Sequence, residues 1–378
     1  MEFIIYLVPF LVSIILCIFF KKHIVWWEYI VLIIPSILLI LFMKFVFVEI
    51  KTADVQYLGT YVTKTTYYEP WNEKVTVQRT RQVPCGKTSN GVTKFCTEVY
   101  YTTEIRWHSA EYTYQTSLNN REHTITKDLY NKINQKLQTK PIFKDLKRKY
   151  HTLDGDAYVT IFDGKIKHMY DITFINKYQN KIKASTSNTI FKLEDIDDKK
   201  AQKFKLYDYP KVRNEQQTPI LGKKLSEKDE QIIRYINAIK GPSKQFRMYI
   251  LFFKENEFDK SELQKSYWQN GNKNEFVVCL GMKGDTVKWV NPFSWSDKPN
   301  LEVRTKTYFI QNPKLDIYKY GVWLNKEIDT QWERKNFDDF DYIDIELTIG
   351  NYIFILIFVL MFNIGVSIIL INNDIKNE

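Results

Sequence analysis

The sequence predicts a membrane-anchored α+β protein: three transmembrane helices, a β-rich antiparallel domain, and a smaller α/β domain after it. Three observations carry this. Long apolar runs lie near both ends of the 378-residue chain. The stretch after the second run alternates with period two and is rich in Thr, Tyr and Val. Beyond Gly222, near-continuous apolar strands alternate with helical segments, as in a sheet covered by helices.

The first apolar run is 3–20 and the second is 24–48, with Lys21, Lys22 and His23 between them. Each can cross a bilayer core of about 30 Å at about 1.5 Å per residue. Trp26 and Trp27 sit where an interfacial aromatic belt belongs. Lys44 is near enough to the far interface to snorkel. Pro35 is tolerated in a span. The third span is 350–371. The first run does not read as a cleaved signal: Glu2 replaces a basic n-region, and two lysines stand where small residues should be. With Lys21 and Lys22 on the cytoplasmic side, the second span returns outward and the region between the outer spans is extracytoplasmic. Lys44 and Lys51 pull the other way.

Cysteines point to the same side. Cys17 lies in the first span, and Cys279 sits in an apolar strand-like run as a core thiol. Cys85 and Cys96 flank Asn90-Gly91, a strong signal for a two-residue type I′ hairpin. That turn would set Cys85 directly opposite Cys96, within disulfide reach. A disulfide implies an oxidising compartment. Reduced packing residues, or half of a metal site, are the alternatives.

Strands are expected through about 55–116, a helix over 124–138 with Leu129, Ile133 and Leu137 four apart, and further strands at 157–162, 165–174 and 181–191. The Pro-containing segment 207–222 reads as a linker. It divides a β-rich extracytoplasmic domain, 53–216, from an α/β domain, 223–345. The second unit reads as helix 226–239, strand 247–253, helix 259–268, strands 276–281 and 286–290, and a final helix over 315–333.

Net charge is +10, spread along the chain, which favours anionic neighbours such as phospholipid headgroups or surface polysaccharide. No recognition-helix motif or basic aromatic stripe points to nucleic acid. The Lys, Asn, Ile, Tyr and Phe richness is also what an AT-rich genome produces. His108 with Glu111, and His151 with Asp154 and Asp156, could bind a metal or supply an acid and a base, although Asp-Gly-Asp is commoner as turn chemistry. Gly271 reads as a helix cap, and Arg334, Lys335 and the acidic 338–341 cluster as a solvated face. No phosphate loop, nucleophile elbow or paired zinc motif appears, so no cofactor is expected.

Tyr67-Tyr-Glu-Pro-Trp-Asn-Glu73, Asp154-Gly-Asp-Ala-Tyr158, Leu206-Tyr-Asp-Tyr-Pro210 and Tyr267-Trp-Gln-Asn-Gly-Asn-Lys-Asn-Glu-Phe276 resemble a family of uncharacterised membrane proteins of bacterial and bacteriophage genomes. The resemblance spans most of the chain and implies no activity; with the spans, the basic loop and the cysteine pair, the expectation is a multi-pass protein of the bacterial inner (cytoplasmic) membrane with a periplasmic or otherwise external main region. The element order over about 228–290 is similar to TPM-type domains, some of which are phosphatases, but their acidic site residues have no clear counterparts here. The expectation is a binding or scaffold module at the cell envelope, its partner an envelope protein or an anionic envelope polymer. The alternative is a membrane-anchored, metal-assisted hydrolase or phosphatase.

Overall fold

The computed structural model describes residues 2–20, 25–87, 89–147, 156–185, 193–212 and 219–373. Two helices open the chain, α1 (Glu2–Phe19) and α2 (Trp26–Thr52), and one closes it. The β-rich part comprises β1 (Ala53–Tyr68), β2 (Trp71–Lys87), β3 (Thr93–His108), β4 (Glu111–Thr116), β5 (His123–Thr124), α3 (Lys127–Leu137), β6 (Ile142–Lys144), β7 (Ala157–Ile161) and β8 (Asp171–Gln179). Two short helices follow, α4 (Lys181–Ala184) and α5 (Asp198–Phe204). The second layer comprises β9 (Ile220–Leu221), α6 (Glu227–Lys244), β10 (Arg247–Lys254), α7 (Phe258–Tyr267), β11 (Glu275–Lys283), β12 (Thr286–Ser294), α8 (Asn300–Gln311) and α9 (Ile317–Gln331). The closing helix is α10 (Ile349–Asn373).

Among the described residues, two helices are long and apolar enough to cross a membrane, 26–52 and 349–372. The expected first span is shorter. Its helix stops at Phe19, and its 18 residues give roughly 27 Å at about 1.5 Å per residue. It packs with the other two nonetheless. Ile5 and Val8 meet Ile40, Ile355 and Val359, and Leu16 meets Leu32. Trp26 and Trp27 are exposed at the start of α2, whereas Lys44 lies over the Tyr6 ring of α1 at 5.8 Å. Lys21 and Lys22 lie outside the described residues. α2 and α10 open onto the same end of the folded region, where Lys51 Nζ donates to the Glu346 carbonyl at 2.6 Å.

β1 organises the first sheet. Its first half pairs with β8 and its second half with β4 and β7, all antiparallel. The expected helix forms as α3, capped by Thr126 Oγ1, which accepts from the Leu129 N–H. It buries Ile133 and Leu137 against Val62 and Ile172. A cross-strand ladder of Tyr112, Tyr67 and Tyr158 stacks beneath Tyr130.

The hairpin of β2 and β3 carries the disulfide Cys85–Cys96, with Cα atoms 5.6 Å apart. Its register differs from the expected one: Cys96 opposes Val83, and Cys85 lies in a bulge between Pro84 and Gly86. Two causes act. Pro84 has no N–H to give the ladder. At the tip, pairing ends at Lys87–Thr93, leaving five connecting residues; of Asn90 and Gly91, only Gly91 takes a positive φ (+79°), where a type I′ turn needs both.

In the second layer, β9, β10 and β11 are parallel and β12 is antiparallel to β11. β10 is buried on both faces, which explains its apolar run. Met248, Ile250 and Phe252 face α6, α8 and α9, while Tyr249, Leu251 and Phe253 pack with Trp268 and Tyr209. The segment read as a linker therefore contributes core side chains. The Tyr207 carbonyl accepts from Trp268 Nε1 at 2.8 Å and from Gln264 Nε2 at 3.0 Å.

α6 joins the two sheets. Its backbone lies directly on β1, where a Cβ added at Gly59 would stand 2.3 Å from the Asn237 carbonyl oxygen. One added at Gly241 would stand 2.0 Å from that of Gly59. Asn237 then ties α6 to β10 through both backbone groups of Met248, and Arg234 clamps Asp171 at the start of β8.

Candidate functional site

A cleft of about 320 Å³ opens where β1 leaves α2. Four remote stretches wall it: Asp54, Val55 and Tyr57 of β1, Asn180 and Lys183 at the start of α4, Tyr209, and the end of α7 with the loop after it, from Tyr267 through Trp268, Gln269 and Gly271 to Asn272. Asp54 follows the last residue of α2 by two positions, so the site lies at the junction of the apolar helices and the folded region.

Asp54 is held by four donors, Asn180 Nδ2 at 2.8 Å, the Val55 N–H at 2.9 Å, Lys183 Nζ at 3.1 Å and the Tyr178 hydroxyl at 3.2 Å. Asn180 also caps α4, accepting from the Lys183 N–H. Burial, with Asp54 beside it, pushes the Tyr178 phenol far up, so this hydroxyl is a donor throughout the physiological range.

The opposite wall is aromatic. Tyr57 and Tyr209 stack with centroids 5.9 Å apart, and Trp268 tilts against Tyr209 at 5.2 Å. Beneath them lies a buried polar network. Glu275 is fully buried and accepts from the Tyr209 hydroxyl, from the Asn272 N–H at 2.9 Å and from Asn272 Nδ2 at 3.2 Å. Its cross-strand neighbour is Arg247, whose Nε donates to the Tyr249 hydroxyl at 2.8 Å and Nη1 to Thr173 Oγ1 at 3.3 Å. Burial raises the Glu275 carboxyl above its ordinary range, against the pull of Tyr209, Asn272 and Arg247. Burial likewise pushes Tyr209 well up, with Glu275 adding to it.

The loop that delivers Asn272 is strained. Gln269, Asn270 and Gly271 hold φ of 50°, 64° and 79°, three successive left-handed residues of which two carry a Cβ. Gly271 is thus the third residue of a left-handed turn, and its N–H donates to the Trp268 carbonyl at 2.7 Å. Trp295 Nε1 fastens the turn at the Gln269 carbonyl, 2.9 Å away.

Lys273, next in the chain, is buried over the Tyr178 ring at 4.5 Å. Burial first, and Arg334 second, pull its ammonium down to about 8. An unfolded lysine keeps its proton to about 10.4, so between these values the unfolded chain binds more protons and stability rises with pH. Wild type should therefore gain on Lys273→Met between about pH 7 and pH 10 in paired thermal midpoints. A pH-independent difference would contradict the assignment.

The residues read from sequence as metal candidates lie elsewhere. His108 and Glu111 share a shallow cavity of about 420 Å³ at the far end of β1, each already engaged. His108 stacks on Trp71 at 4.3 Å and pairs with Glu73 at 2.9 Å, and Glu111 accepts from Thr124 Oγ1 at 3.0 Å. Asp156 is tied by its carbonyl to the Glu69 N–H, and His151 and Asp154 lie outside the described residues. Among the described residues, no three His, Cys, Asp or Glu side chains gather as a metal site would require. Cys279 is fully buried, which pushes its thiol well up.

Sequence reasoning did not single out Tyr209, Arg247, Asn272 or Glu275 as site residues. A signal was present: Arg247 and Glu275 each stand at the head of a long apolar strand, a costly place for a charge unless it is partnered. Chemically, the cleft offers flat aromatic faces beside amide and carboxylate groups, and among the described residues its lining includes no histidine, cysteine or serine. Comparison with protein-family models, with curated proteins and with solved structures gives no match for this chain.

Proposed function

We propose that the chain is a multi-pass, membrane-anchored binding protein whose folded region lies outside the cytoplasm and whose cleft takes a sugar unit of an envelope glycan. The observation that carries the reading is the pairing of the Tyr57, Tyr209 and Trp268 rings with the Asn180, Gln269 and Asn272 amides in one cleft. Ring faces pack on the apolar face of a pyranose, and planar amides exchange paired hydrogen bonds with its hydroxyls. The position of the cleft beside the end of α2 favours a ligand at the membrane surface. The two long apolar helices and the disulfide support the anchoring and its sidedness. A diffuse charge of +10 draws an anionic polymer toward the surface.

Full-length protein in detergent solution, titrated with an oligosaccharide panel by calorimetry, should show saturable binding to at least one glycan. Tyr57→Ala should weaken that binding by about tenfold or more, the loss of one aromatic contact of ~1.5 kcal/mol. Absence of saturable binding across the panel, or unchanged affinity in Tyr57→Ala, would overturn the assignment.

A further inference from the structure

The ribbon of β2 and β3 continues the β1–β4 pair without a slip. Tyr68 opposes Glu111, and after two residues on each strand Trp71 opposes His108. It thus springs from the end of β1 farthest from α2, and each strand of 16 or 17 residues spans about 55 Å at ~3.3 Å per residue. Lone two-stranded ribbons are marginal in water, and the two faces of this one differ sharply.

One face is closed on itself. Arg79 pairs with Glu104, Arg81 with Glu98 at 2.7 Å while covering the Tyr100 ring at 5.3 Å, and the disulfide lies near its tip. On the other face Phe95, Val99, Tyr101, Ile105 and Trp107 form a row along β3, each 48–67 % exposed. Opposite them β2 presents Pro84, Gln82, Thr80, Gln78, Thr76, Lys74 and Asn72, so from 72 to 84 and 95 to 107 this face bears the single charge of Lys74.

We propose that this face pairs two copies of the chain. Three rings of roughly 150–250 Å² each, about three-fifths bare, leave about 270–450 Å² uncovered before Val99, Ile105 and the Thr/Gln row are added. The total approaches the ~800 Å² per partner of a standard interface, and its apolar part stands at the upper end of what a monomer ordinarily leaves bare. A face with one charge in two rows meets its own copy with only the two Lys74 ammoniums to keep apart, whereas an anionic partner would find Arg79 and Arg81 on the other face, paired with Glu104 and Glu98. The bilayer is not the occupant, because β1 separates the ribbon from α2 by about 50 Å. Under the anchoring proposed above, both arms point the same way, and the two-fold axis lies along the membrane normal.

The test replaces Tyr101, on the apolar face, or Arg106, on the other, with the photocrosslinker p-benzoylphenylalanine in full-length protein in native membranes. Irradiation should give an adduct of twice the chain mass at position 101 and none at 106. In detergent solution wild type should measure as a dimer and Tyr101→Glu/Ile105→Glu as a monomer with its disulfide intact. No dimeric adduct at 101, an adduct only with a different protein, equal adducts at 101 and 106, or a double variant that stays dimeric would each overturn the proposal. None of these outcomes depends on glycan binding, which is read separately.

Discussion

Arg247→Met should destabilise the protein by about 3–5 kcal/mol, the usual cost of removing one partner of a buried ionic network. Arg247 is 3 % exposed, and Glu275 beside it is fully buried. Removing the guanidinium leaves that carboxylate facing Tyr209 and Asn272 with no cation. Arg247→Met/Glu275→Gln should recover much of the loss, because the amide retains a hydrogen-bonding role without the charge. The sign with pH follows from the direction of the Glu275 shift. A carboxyl raised in the folded state contributes most below its unfolded value of about 4.3 and loses that contribution as pH rises through the folded value. Without Arg247 the upward shift grows, so lowering the pH from about 8 to 5 should narrow the gap between Arg247→Met and wild type. Thermal unfolding across that range is the measurement, and a gap that widens toward acid would refute the network.

Gly59→Val and Gly241→Val should each cost about 3 kcal/mol or more and loosen α6 from β1. Overpacking ordinarily costs ~1–3 kcal/mol when side chains can move aside. Here the obstacle at 2.0–2.3 Å is backbone carbonyl, which can yield only if helix and strand separate. Gly365→Ala is the control, since nothing lies within 4 Å of the Cβ it would add. Thermal midpoints decide the matter; a Gly59→Val protein as stable as Gly365→Ala would mean that the close approach of α6 to β1 is not what joins the sheets.

What the sequence made legible was local. Alternation over 75–83 and 99–107 appears as β2 and β3, the spacing of Leu129, Ile133 and Leu137 appears as α3, and the apolar stretches at 247–253 and 276–281 appear as β10 and β11. The cysteine pair was legible, but its register was not, because a bulge at a proline and a five-residue connection are choices of backbone geometry that residue spacing does not encode. α8 escaped notice because its buried stripe, Leu301, Thr305 and Phe309, has a polar threonine at its centre that bonds with the Tyr320 hydroxyl. The cleft was least legible of all. Asp54, Asn180, Tyr209 and Asn272 belong to segments that meet only once both sheets have closed on α6, and no local period announces such a meeting.

Whether the folded region lies outside the cytoplasm with a closed Cys85–Cys96 bridge is decided by a membrane-impermeant maleimide applied to intact cells. Cys279 is fully buried and its thiol is held protonated, and with Cys17, exposed on the first apolar helix, removed by Cys17→Ser, Cys85 and Cys96 dominate the signal. Labelling is expected only after an external reductant is added. Labelling that instead requires permeabilised membranes and no reductant would place the region in the cytoplasm with free thiols, and would contradict the external placement.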